Sequence, residues 1–212
     1  MNSSRVYLDR FAKRAAESVS PGTYVLDAGA GDGPYRHHFD HANYEAADFQ
    51  QVPGKTYSGN HYICDLSEIP VADNRYDLVL FSQVLEHIAE PVAVLQELRR
   101  VLKPGSRIWA SAPLFYEEHE QPYDFYRYTQ FGLRRLFEET GFRHVEIEWL
   151  EGYFGTVSYQ LDVAARAAGS HPRWRQAAPA LRRVSQMAAR ADLRWRLTAV
   201  GHPKNYTLVA SA

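Results

Sequence analysis

The run Tyr24-Val25-Leu26-Asp27-Ala28-Gly29-Ala30-Gly31-Asp32-Gly33 constrains the fold of this 212-residue chain more than any other stretch. An apolar strand ends in an acid and enters a glycine-dense turn. Glycines 29, 31 and 33 lack a Cβ, so the backbone there can take φ > 0 and approach a ligand closely. At the C-terminal edge of a parallel sheet, such a turn cradles a nucleotide-type cofactor. The spacing is G-x-G-x-G, not the G-x-G-x-x-G of dinucleotide enzymes, and no Lys-Ser/Thr follows as it would in a P-loop. Asp27 and Asp32 flank the turn and repel phosphates. The ligand it suits carries hydroxyls and an amine but no phosphate.

Strands and helices alternate after this point. Residues 5–18 read as an opening helix stopped by Ser20-Pro21-Gly22, and Tyr24–Leu26 as the first strand. Pro34 sits where a helix would begin. Short strands are expected at Tyr44–Ala47 and His61–Cys64, and the apolar run 76–81 reads as a strand covered on both faces. Val94, Leu95, Leu98, Val101 and Leu102 recur at helical spacing, and Lys103-Pro104-Gly105 ends that helix. Ser106–Ala112 is strand again. Thr129 is the expected N-cap of a helix through Glu139, with Gly141 closing it. Val145–Leu150 and Asn205–Ala210 are the last strands. The alternation implies βαβ units and a mostly parallel sheet.

Several further segments, taken in order, resemble the class I S-adenosylmethionine (SAM)-dependent methyltransferases. Besides the glycine turn they are Asn43–Asp48, a second strand ending in an acid; Cys64-Asp65-Leu66-Ser67-Glu68-Ile69-Pro70, similar to a D-L-x-x-L-P loop; Arg75–Ile88, a fourth strand followed by Val84-Leu85-Glu86-His87; and Leu98–Ser106 before a fifth strand. The resemblance covers roughly residues 22–115. It implies an α/β, Rossmann-like seven-stranded sheet, six strands parallel and the last antiparallel between its neighbours, with helices on both faces. Residues 151–203 exceed one crossover. The expectation is therefore a single methyltransferase domain over 1–212, with 152–203 a helical lid or cap inserted before the last strand.

The cofactor implied is SAM. By resemblance the turn at Gly29 and Gly31 lies beside its methionine part, with Asp27 near the ammonium and the Gln83 backbone serving the same group. Asp48, 19 residues after Gly29, is placed to accept from both ribose hydroxyls. Asp65 accepts the adenine amine, the Leu66 N–H donates to a ring nitrogen, and Phe49 covers the adenine face.

The chemistry-bearing residues beyond the cofactor concentrate after strand five. Residues 115–129 pack one His, four Tyr and one Arg into a single loop, which is seldom a mere connector. The pattern His119-x-x-Pro122-x-Asp124-Phe125-x-Arg127-Tyr128-Thr129 resembles a bacterial methyltransferase subgroup that often acts on sugars or other cell-surface and secondary metabolites. It makes His119 the general base, Asp124 its orienting partner or the base itself, and Arg127 a binder of an acceptor carboxylate or phosphate. A salt bridge between Asp124 and Arg127 that merely fixes the loop is the competing reading. His87 is a second candidate base, read first as packing. His37, His38 and His41 are read as polar surface, so no metal is expected. Cys64 reads as buried and inert.

These residues together suggest O-methylation of a small-molecule or glycan acceptor, including phosphate-bearing or lipid-linked forms. N- or C-methylation without a base, and a non-catalytic protein of the same fold, are the alternatives. A formal net charge of −1 argues against bulk capture of nucleic acid. The single cysteine fits a cytoplasmic location, and no stretch is long and apolar enough to span a bilayer. Between residues 166 and 196 eight arginines face one acid, Asp192, with Trp174 and Trp195 among them. That segment reads as a solvated helical face or as an anionic-ligand face allowing at most peripheral membrane contact.

Overall fold

The computed structural model describes residues 3–212 apart from 53, 56 and 58. Helix α1 (Ser3–Glu17) precedes β1 (Tyr24–Ala28), β2 (Asn43–Asp48), β3 (Tyr62–Ile63) and β4 (Tyr76–Ser82). Then come α2 (Pro91–Val101), β5 (Leu102–Pro113), α3 (Gln130–Glu139), β6 (Arg143–Trp149), α4 (Tyr153–Ser170), α5 (Ala178–Arg194) and β7 (Asn205–Ser211). The chain divides into two compact units, residues 9–148 with 206–212, and residues 1–8 with 149–205.

The strands form one seven-stranded sheet in the order β3-β2-β1-β4-β5-β7-β6. Strands β3, β2, β1, β4 and β5 pair in parallel, and β7 is the one antiparallel strand. Leu78, Val79, Leu80 and Phe81 are all buried, so β4 is apolar on both faces as a central parallel strand must be. Helix α2 buries Val94, Leu95, Leu98 and Val101, the stripe read from its spacing. Each such side chain withdrawn from water contributes about 1.5–3 kcal/mol. Thr129 caps α3, its hydroxyl accepting the N–H of Gly132 at 3.1 Å.

Two boundaries depart from the sequence reading. No α-helix follows Pro34; one 3-10 turn, Arg36–Phe39, is all that connects to β2. Phe39 is the one side chain this turn buries, so the segment has no apolar stripe to hold a longer helix against the sheet. Strand β5 starts four residues earlier than expected. Leu102 pairs with Tyr76, and the register resumes only at Arg107 opposite Leu78, so Lys103–Ser106 bulge out of the ladder. Gly105, at φ 78°, turns that bulge.

In the smaller unit α4 and α5 pack through small residues. Gly155, Thr156, Ser158 and Ala165 on α4 are buried, as are Ala178, Ser185 and Ala189 on α5, and the Ser185 hydroxyl donates to the Ser158 carbonyl at 2.8 Å. A Cβ on Gly155 would stand 2.7 Å from the Asp192 carboxylate. Beside this pair, the buried Glu151 carboxylate accepts the Asn205 backbone N–H at 2.7 Å.

Candidate active site

Why the turn after β1 needs glycine is visible in its neighbours. Gly29 sits at φ 76°, and a Cβ there would fall 2.5 Å from a methyl of Val84. The close approach lets the Gly29 and Ala30 N–H groups donate to the Ala47 carbonyl at 2.8 and 3.2 Å, locking the turn to β2. Gly31, at φ 58°, has nothing within 4 Å of where its Cβ would project. Its N–H donates to Asp48 Oδ2 at 2.9 Å, while Asp48 Oδ1 accepts from the Gln50 N–H at 2.8 Å. Asp27 lies behind the turn, buried, with the Tyr44 hydroxyl on its Oδ2 at 2.6 Å. Burial pushes its carboxyl up to about 6.

A cavity of about 570 Å³ opens beside this turn, within the usual range for small-molecule sites. Gly29, Asp48, Phe49, Asp65, Leu66 and Gln83 line it, six of the eight residues assigned to the cofactor from sequence. Asp27 and Gly31 are not in the lining. Gln83 follows β4 with φ 59°, an uncommon value for a non-glycine residue, held by its N–H on the Ser111 carbonyl at 2.9 Å. Asp65 folds a local turn, its Oδ1 accepting both the N–H and the hydroxyl of Ser67. Cys64 is half-buried on the same wall, not fully buried as expected, because it lies just beyond the short β3. Desolvation lifts its thiol to about 11, so it stays protonated.

The opposite wall comes from the 113–129 loop and the 3-10 turn Leu85–His87. The loop is tied to that turn by the Phe125 and Tyr126 N–H groups, which donate to the Glu86 carbonyl at 2.9 and 3.2 Å. His87, Glu120, Tyr123 and Phe125 line the cavity, with the Tyr123 ring edge-on to Phe49 at 5.3 Å. The His87 Nδ1 meets the Tyr123 carbonyl, which can only accept, so Nδ1 carries the proton and Nε2 is bare. That Nε2 stands 3.8 Å from Glu120 Oε2 and 3.9 Å from Glu86 Oε1. Burial holds the His87 imidazole below its ordinary range.

His119, the base read from sequence, stacks edge-on against His87 with ring centroids 4.6 Å apart, but is not itself in the lining. Its backbone N–H donates to Asp124 Oδ2 at 2.8 Å; its ring Nδ1, 3.4 Å from the same oxygen, is out of hydrogen-bonding alignment. Arg127 meets Asp124 in a two-pronged pair at 2.7 and 2.8 Å, and its other donors reach the carbonyls of Tyr116, Glu117 and Tyr126. With its five N–H groups so engaged, the arginine staples the loop. It also holds the Asp124 carboxyl down at about 2. Sequence reading passed over Glu86 and Glu120. Glu86 is 1% exposed, and burial pushes its carboxyl up to about 8; an acid between apolar Leu85 and Ile88 was the available signal.

Comparison with known proteins agrees with this geometry. A profile described as Methyltransferase domain matches residues 26–110. The ubiquinone/menaquinone biosynthesis C-methyltransferase UbiE of Desulfotalea psychrophila is 31% identical over 104 residues, 43% of this chain and 42% of that protein. The chain thus spans under half the length of that relative. Among solved structures, a SAM-dependent methyltransferase from Archaeoglobus fulgidus superposes with TM-score 0.60 at 18% identity, covering 98% of this chain and 94% of that one. The [4+2]-cyclase SpnF gives 0.61 at 20%, covering 96% and 80%. At these identities the structures speak for the fold alone. The residues present fit SAM: a carboxylate ends β2 at the cavity, the turn comes close to it with no Cβ at Gly29, and Leu66 and Phe49 supply apolar wall. Residues 26–110 thus match a methyltransferase domain, and the chain has the fold of the class I SAM-dependent methyltransferases.

Proposed function

We propose that the protein moves the methyl group of SAM to an oxygen of a small-molecule or sugar acceptor, within one methyltransferase domain whose helical insertion is residues 152–203. The observation that carries the cofactor half is Asp48. Two backbone N–H groups fix its carboxylate at the cavity wall, leaving its remaining lone pairs for a ribose diol. Asp65 and the Leu66 N–H would serve the adenine, Phe49 its face, and Gln83 and the Gly29–Gly31 turn the methionine part, with Asp27 behind it.

When bound, the cofactor supplies an electrophilic methyl on a sulfonium, so the chain's work is positioning and proton removal. Alignment of the acceptor and exclusion of water provide the larger share of the acceleration. The acceptor's proton is received at the wall formed by His87, His119 and Glu120; a positioned base of this kind contributes about 10²–10⁴-fold. His87 lines the cavity, His119 packs on its ring, and Asp124 with Arg127 hold the loop that carries His119. Carbon methylation is the second reading, favoured by the C-methyltransferase relative.

Calorimetric titration with S-adenosylhomocysteine tests the proposal first. Micromolar binding supports it; no binding by folded protein overturns it. Turnover on sugar and phenol acceptors that survives His87→Gln and His119→Gln undiminished would favour the carbon reading.

A further inference from the structure

The histidine wall has a feature that proton transfer alone does not require. The ligand atoms of Glu86, His87 and His119 all lie within 4.8 Å of one another. Apart from contact with its own backbone N–H, neither Glu86 oxygen has a hydrogen-bond partner, and the His119 Nδ1 is likewise buried without one. A buried carboxylate left so is costly unless something cationic completes it. Metal-binding histidines commonly donate their other ring N–H to a carbonyl, which fixes the ligating nitrogen. His87 does this through Nδ1 to Tyr123, aiming Nε2 at Glu86.

We propose that Glu86, His87 Nε2 and a ring nitrogen of His119 bind one divalent transition-metal ion, with Zn²⁺ the best chemical match. Two imidazoles and one carboxylate form a three-ligand set that leaves a fourth position open. Ligands about 2.1 Å from Zn²⁺ in a tetrahedron stand roughly 3.4 Å apart, so the 3.9 Å between Glu86 Oε1 and His87 Nε2 closes with a small contraction. His87 lines the cavity, so the open position faces the acceptor.

The role of the ion rests on the methyl-transfer reading; its binding does not. An acceptor hydroxyl in the fourth position is acidified as bound water is. Its O–H bond breaks with the proton passing to Glu120, which lines the cavity. The oxygen electron pair forms the new bond to the methyl carbon as the C–S bond breaks, its pair remaining on a neutral thioether. Nothing is oxidised or reduced.

Tag-free protein stripped with a chelator and titrated with ZnCl₂ in a calorimeter should take up one ion per chain. His119→Gln and Glu86→Gln should each weaken that binding at least tenfold. Asp9, His37 and His38 form a second His/acid cluster, exposed on the surface, and His37→Gln serves as the control that leaves uptake unchanged. Absence of stoichiometric uptake, uptake undiminished in His119→Gln, or loss in His37→Gln would each overturn the proposal. If Glu86→Gln does not fold, the loop variant His119→Gln decides. A parallel S-adenosylhomocysteine titration separates the two readings: cofactor binding without zinc uptake sinks the metal site alone, and zinc uptake without cofactor binding sinks the methyl-transfer reading alone.

Discussion

Asp48 accepts the backbone N–H of Gly31 at 2.9 Å, bridging 17 residues from the end of β2 to the glycine turn after β1. One carboxylate thereby shapes the turn and presents charge to the cavity. The two roles cannot be separated by removing the side chain, but they can be by changing its donor–acceptor pattern.

Asp48→Asn keeps the shape and removes an acceptor. Its amide nitrogen must face either the Gly31 or the Gln50 N–H, donor against donor. Hydrogen bonds to charged groups are worth about 1.5–3 kcal/mol, so S-adenosylhomocysteine affinity should fall at least about tenfold. Unchanged affinity in a calorimeter would remove Asp48 from the cofactor site.

Gly29→Ala should cost stability for two separable reasons. The new methyl meets both Val84 methyls at 2.5 and 2.6 Å, and φ 76° is strained for alanine. Overpacking and backbone strain together predict a loss of about 2–5 kcal/mol. Adding Val84→Ala should restore the packing part only, leaving a non-additive double-mutant cycle in urea denaturation. Strict additivity would show that the two residues do not touch.

The sheet was legible because its signals are local: β4 is a continuous apolar run, α2 shows its stripe in spacing alone, and Thr129 announces α3. The first crossover misled because Pro34 is a good helix starter, and only the absence of a buried stripe argued otherwise. The histidine wall was half legible. His119 stood out in a loop rich in aromatic and ionisable groups. That His87 is the ring in the lining depends on its bond to Tyr123, 36 residues away, and no spacing encodes that contact. Glu86 was hidden for the same reason, since its isolation is a property of the fold.

Arg127→Lys tests whether the arginine binds the acceptor or holds the loop. A lysine keeps the charge but cannot supply a planar fork to Asp124 and three carbonyls. As a staple, Arg127→Lys should destabilise almost as much as Arg127→Ala, about 3 kcal/mol, because Asp124 is left with a poorly matched partner. Limited proteolysis should then cut faster within residues 115–128. An acceptor-binding role predicts instead a raised KM, rescued in part by lysine, with no change in cleavage.

Asp27 gives the fold a pH dependence whose sign can be worked out. Its carboxyl titrates at about 6 in the folded protein against 3.8 unfolded, burial being the main cause and the Tyr44 hydroxyl opposing it. Below the unfolded value it is protonated in both states and costs nothing. As pH rises from 4 to 6 the unfolded chain ionises first, so the native state loses stability, and above 6 the full cost of about 3 kcal/mol applies. Asp27→Asn keeps an acceptor for Tyr44 and does not titrate. The stability difference between wild type and Asp27→Asn should therefore shift by about 2.4 kcal/mol towards the variant between pH 4 and pH 7. A difference that stays flat in denaturant titrations across that range would mean that Asp27 ionises as freely in the fold as in water.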